Sequence, residues 1–235
     1  MALPILEVIR WKRLYYFSLF AFIISVVLFK FSPVISAIFM FSMLSWWTLL
    51  PGRISPYLME INMGDFFTVM IALHIGPIEG AIFGFLNIWA GPIFGKAERM
   101  QLTSRISIVA IIATLLVPTI YNLTGQSVLY TLYGYSISFY TIHLASSLMI
   151  SRRAFLNVMK FSLIAVPMAF ITNKAYLSVF GEFSGWIVGS GIGIGSEMIL
   201  ATGAIMLFFS LMNFREFLIQ KTGSRSPLLK SEKHI

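Results

Sequence analysis

Asp65, His74, Glu79, His143, Lys174 and Glu197 stand within or against long apolar stretches of a 235-residue chain. Hydrocarbon penalises such side chains unless protein or water surrounds them. These residue types can hold a ligand or an ion, but they do not assemble into a catalytic set. The sequence has no nucleophile beside a base, no paired carboxylates at fixed spacing, no Walker loop and no cofactor box. It has no cysteine, which excludes disulfides, thiolate metal sites and cysteine nucleophiles. No His/Glu spacing resembles a metal-binding helix such as HExxH. The expected chemistry is recognition by buried polar groups, with no enzymatic activity, cofactor or metal.

Two polar foci stand out. The first is Ile61 to Gly95, INMGDFFTVMIALHIGPIEGAIFGFLNIWAGPIFG, with Gly-Pro pairs at 76–77 and 91–92. As one helix it would run roughly 46 Å, too long for one upright span. Pro77 lacks an N–H and breaks a helix. The expectation is two short helices, 65–76 and 77–94. Asp65 is read as the cap of the first, with Asn62 as competitor. Glu79 lies one turn into the second, where it either answers the helix dipole or faces a cavity that His74 also lines. Gly76, Gly80 and Gly84 share one helical face and let another backbone approach closely. That approach is either packing within the bundle or a contact with a partner.

The second focus is Gly185 to Gly203, GWIVGSGIGIGSEMILATG, in which glycines and serines bracket Glu197. Its GxGxG run follows no strand, so a dinucleotide loop is rejected. A loosened helix with a buried acid fits a binding site better. Lys174 either pairs with Glu197 or Glu182, or snorkels to an interface. His143 shares a helical face with Tyr140 and Ser136. Trp46, Trp47, Trp89 and Trp186 read as residues near span ends.

The elements that position these residues are hydrophobic helices. The chain is 58% hydrophobic and 11% charged, with mean hydropathy +0.86, against about 25% charged residues in soluble domains. The expected class is all-α, a polytopic transmembrane bundle of six to eight spans with a broken Gly/Pro-rich segment at 64–95. Clear helices are expected at 14–31, 34–50, 105–121, 127–150, 157–177 and 185–212. The N-terminal apolar run is read as a retained first span. One membrane domain, 1–220, precedes a flexible polar tail, 221–235. Positive charge gathers before the first span, near 96–105, at 151–160 and in the tail, and is sparse near 122–126 and 178–184. The positive-inside rule then puts both termini in the cytoplasm of a multi-pass cell-membrane protein. The net charge of +8 is assigned to topology and lipid headgroups rather than nucleic acid.

GDFFTVMIALHIGPIEGAIFGFLNIWAG resembles the substrate-binding S components of energy-coupling-factor transporters, which read as a polar turn with an Asp, an apolar run and GPxxGAxxG. Here these are Gly64-Asp65, residues 66–75, and Gly76, Pro77, Gly80, Ala81 and Gly84. The resemblance covers about 30 residues. It implies a vitamin-like small-molecule substrate, reorientation in the bilayer, a coupling membrane subunit and ATP-binding-cassette ATPases as partners. The family's alanine docking face in the first span has its nearest counterpart in Ala21 and Ser25. Gly76, Gly80 and Gly84 complete the candidate partner interface. Buried polarity, not a family motif, nominates Glu197, Lys174, His143, Trp186, Glu79 and His74 for the substrate, under a cover formed by loop 51–63. A non-transporting sensor, assembly or scaffold subunit is the second reading. An ion or proton pathway through Glu79, Glu197 and Lys174 is a third.

Overall fold

The computed structural model describes residues 11–49, 61–94 and 100–189, all within the unit Met1–Gly193. Every regular element among them is a helix: α1 Trp11–Phe29, α2 Pro33–Thr48, α3 Met63–His74, α4 Pro77–Phe94, α5 Met100–Leu115, α6 Val117–Leu123, α7 Val128–Ile150 and α8 Arg152–Gly189. The all-α expectation holds. Glu197, the 185–212 span beyond Gly189, loop residues 51–60 and the 220/221 boundary lie outside the described residues, as does the Trp186 side chain.

Consecutive helices pack against one another. Ser25 and Ser36 join α1 to α2, with Ser36 Oγ donating to the Ser25 carbonyl at 2.7 Å and the two hydroxyls 2.9 Å apart. Phe41 of α2 stacks on Phe67 of α3 at 4.2 Å. In the α3–α4 hairpin, Gly84 opposes Thr68 and Gly80 opposes Ala72. Thr124, just past α6, meets Thr131 of α7 at 3.1 Å. Tyr133 of α7 stacks on Phe170 of α8 at 4.4 Å.

The centre of the bundle is α3. It packs against α2, α4, α5, α6, α7 and α8. It is buried from Met63 to Ala72 except at Asp65. The break that the sequence places at Gly76-Pro77 is present: α3 ends at His74 and α4 starts at Pro77. Twelve residues rise only about 18 Å, roughly half the distance a full span needs. Gly64 lies against Asn87, near the middle of α4. Relative to α4 this short helix begins beside Asn87, before that helix ends, and relative to α2 it begins level with the last residue, Thr48.

Polarity is inverted relative to a water-soluble fold. Phe20, Ile23, Val27, Phe31, Ile82, Leu86, Ile108, Leu148, Leu163 and Ile171 face outward. Ser18, Ser25, Ser36, Ser45, Thr68, Asn87, Thr103, Ser107, Thr114, Thr131, Ser136 and Ser147 are buried. Most of the hydroxyls bond back to a carbonyl one turn earlier, as Thr68 does to Gly64 at 2.7 Å and Ser147 to His143 at 2.7 Å. Small self-satisfied hydroxyls let helices approach without leaving orphan donors. Among the described residues, Arg152–Gly181 is long and apolar enough to cross a membrane alone. Leu102–Leu115 with Val117–Leu123 qualifies as a pair bent by 43°.

Two expected boundaries are corrected. The span placed at 105–121 is that bent pair, broken at Leu116 with Pro118 in the first turn of α6, where its missing N–H costs nothing. The turn expected near 178–184 is helical, because α8 runs unbroken through it. Tyr176 and Phe180 pack on Phe66 and Phe67 of α3 at 6.0 and 6.4 Å. Those helically spaced anchors outweigh the weak helix propensity of Gly181.

The hairpin generates a direct test. A Cβ at Gly80 would lie 2.7 Å from Ala72 Cβ and 2.9 Å from the Ala72 Cα and N. Gly80→Ala should lower stability by about 1–3 kcal/mol, read as earlier thermal unfolding in detergent. Adding Ala72→Gly should not restore it, since the backbone atoms remain in the way.

Candidate functional site

The start of α3 gathers polar groups from three segments of the chain. Asn62 is its N-cap, with extended backbone and a side-chain oxygen that accepts from Gly64 N at 2.8 Å. The Met63 N–H donates to Thr48 Oγ1 at 2.9 Å. Ser45 Oγ donates to Asn87 Oδ1 at 2.5 Å, tying α2 to α4 across the same point. Gly64 is required there, because a Cβ would collide with the Asn87 amide nitrogen and sit 2.8 Å from Ser45 Oγ. The helix start presents its first N–H groups there, and two of them are already capped.

Asp65 is not the cap; Asn62 is. The order Asn-Met-Gly-Asp explains why: Asn62 precedes the first helical residue, whereas Asp65 sits in the first turn. Among the described residues Asp65 makes no hydrogen bond or ion pair, and it is the partly exposed member of the otherwise buried α3 run. Its side chain stands in the first turn of α3, beside the helix N-terminus. Sequence reasoning assigned Asp65 to capping and so missed it as a site residue. The signal was present in Asn62, which made a second cap unnecessary.

A second polar locus lies between α5 and α7. His143 is buried, its ring 6.1 Å from Phe139 in a stacked arrangement. Ser136 and Tyr140 share its buried face, as the helical spacing requires. Asn173 Nδ2 of α8 donates to Ser136 Oγ at 3.3 Å. The charge of Arg105 acts on the His143 ring. Thr103 Oγ1, Arg105 Nε and His143 Nδ1 are buried without a hydrogen-bond partner. The sequence placed Arg105 among loop cations that set orientation, but it belongs to the body of α5.

The described members of the nominated substrate set, His74, Glu79, Lys174 and His143, do not share one environment. His74 and Glu79 flank the α3–α4 turn and are exposed. The Glu79 carboxylate folds back over Gly76, as expected for an acid at a helix N-terminus. Lys174 is exposed on α8, while its neighbour Asn173 is buried. Only His143 of the described candidates is interior. Nor is the nominated docking face free. Ala21 and Ser25 are buried, with Ser25 bonded to α2, and Gly80 and Gly84 are covered by Ala72 and Thr68 of α3. The small residues serve intramolecular packing. No group of three or more His, Cys, Asp or Glu suited to a metal occurs among the described residues.

Comparison with family models, curated proteins and solved structures gave no match in any of the three.

The cap assignment separates two neighbouring side chains. Asn62→Ala should cost about 1 kcal/mol of stability. Asp65→Asn should cost less than half as much, in thermal unfolding of the purified protein in detergent.

Proposed function

We propose that the chain is a membrane-embedded, substrate-binding subunit of a small-molecule importer, a bundle of six to eight spans that recognises a micronutrient-like ligand. The observation that carries this reading is the short helix α3, whose start gathers Asn62, Asp65, Ser45 and Asn87 in a bundle with many exposed large apolar side chains. Discontinuous helices place helix termini and polar side chains where a desolvated ligand can be held. Irregular backbone within a membrane is tolerated where it is buried in protein or lines a cavity. The exposed aromatic and aliphatic side chains suit lipid contact.

In this proposal Asp65 and the α3 N-terminus read the polar part of the ligand. The energy for transport comes from a coupling membrane subunit and ATP-binding-cassette ATPases, the partners implied by the resemblance of the 64–84 motif. With Gly80, Gly84, Ala21 and Ser25 occupied internally, that subunit docks on other surfaces.

A second reading is a non-transporting membrane subunit. The dispersal of His74, Glu79, Lys174 and His143 favours it, since a scaffold requires no convergence.

Purification in mild detergent from the native host, with mass spectrometry of proteins and small molecules, decides between them. The importer reading expects ATPases, a coupling subunit or a bound micronutrient. Recovery of other membrane proteins with no ligand selects the scaffold. With the ligand in hand, Asp65→Asn should weaken binding by about tenfold or more, because it removes a charge-assisted contact. Unchanged affinity removes that residue from the site.

A further inference from the structure

A groove of about 600 Å³ runs along the outside of the α5–α7 contact, distinct from the α3 site. Its lining has two ends. Ser104 and Arg105 stand in the second turn of α5, and Ser146 and Met149 in the last two turns of α7. Ile108, Val109, Ile112 and Ile142 continue from there along the two helices. The guanidinium of Arg105 has neither an ion pair nor a hydrogen bond among the described residues, and its Nε is buried. Among the described residues no acidic side chain lines the groove. Arg152 and Arg153, both exposed, follow the end of α7 after Ser151. A cation at one end and a branched aliphatic trough at the other match a molecule with an anionic head and an apolar tail.

We propose that this groove is a binding site for one anionic phospholipid. The phosphate sits on Arg105, and an acyl chain lies along Ile108, Ile112 and Ile142. Arginine suits this task because its planar fork donates two parallel hydrogen bonds to a phosphate. Basic pockets between membrane helices recognise lipid headgroups through the same chemistry. Charge complementarity selects the occupant. A second protein helix would bring hydrocarbon to the trough but leave the guanidinium without a counter-charge. The inference rests on the membrane reading above and not on the importer reading.

The test uses the full-length protein. Carbonate washing of native membranes comes first, since release from the membrane removes both the membrane reading and the lipid site. For retained protein, native mass spectrometry in detergent compares phosphatidylglycerol with phosphatidylcholine at equal concentration. The expected result is one tightly held phosphatidylglycerol, favoured by about tenfold. Arg105→Gln should abolish that preference, and Arg105→Lys should keep part of it. Arg152→Gln and Arg153→Gln should change it less than twofold. Thermal unfolding confirms that each variant is folded, and Arg105→Lys serves as the folded comparison if Arg105→Gln is not. Equal retention of the two lipids, displacement by millimolar inorganic phosphate, or equal loss in the Arg152 variant overturns the site while leaving the membrane reading intact.

Discussion

The close approach of α3 and α4 is the constraint on which the rest depends. Gly80 against Ala72 and Gly84 against Thr68 bring two backbones together without side chains between them. In an apolar setting, hydrophobic driving force does not distinguish a neighbouring helix from lipid, so van der Waals contact at short range must hold helices together. The hairpin therefore fixes where α3 begins. That point determines which residues meet there: Ser45 from α2, Asn62 and Asp65 from α3, and Asn87 from α4.

Polar groups inside the bundle fall into two kinds. Many Ser, Thr and Asn side chains find a partner one turn back or across a helix pair, as Ser25–Ser36 and Ser45–Asn87 do. These interactions align helices and leave little capacity for a ligand. Among the described residues, atoms without a hydrogen-bond partner include Ser18 Oγ, Thr103 Oγ1, Arg105 Nε and His143 Nδ1, the last three close to or within the α5–α7 contact. Buried or half-buried charge that the fold does not answer is costly. That cost makes these positions the places where an external group gains most by binding.

The two loci also differ in what surrounds them. The α3 start meets side chains of α2 and α4. The Arg105 groove opens outward beside exposed Ile108, Ile112 and Met149. The two loci share no residue, so the proposed ligand and the proposed lipid would not compete.

The sequence by itself determined the all-helical class, the ends of most helices and the break at Gly76-Pro77. Those features follow from local causes: unbroken apolar runs, a proline without an N–H, and Asn or Ser before a helix start. It also put Ser136, Tyr140 and His143 on one face, which helical periodicity dictates. Only the tertiary structure decided that residues 178–184 stay helical, because the deciding contacts, Tyr176 and Phe180 on Phe66 and Phe67, join segments about a hundred residues apart. It alone showed that the glycine face of α4 and the Ala21–Ser25 face of α1 are covered by the chain's own helices. A small residue signals close approach but not the identity of what approaches. The positions of Asp65, in the first turn of α3, and of Arg105, within α5, bear on their roles in the same way. Whether a charged side chain caps, orients or binds depends on which neighbours have already satisfied the groups around it, and those neighbours come from other helices.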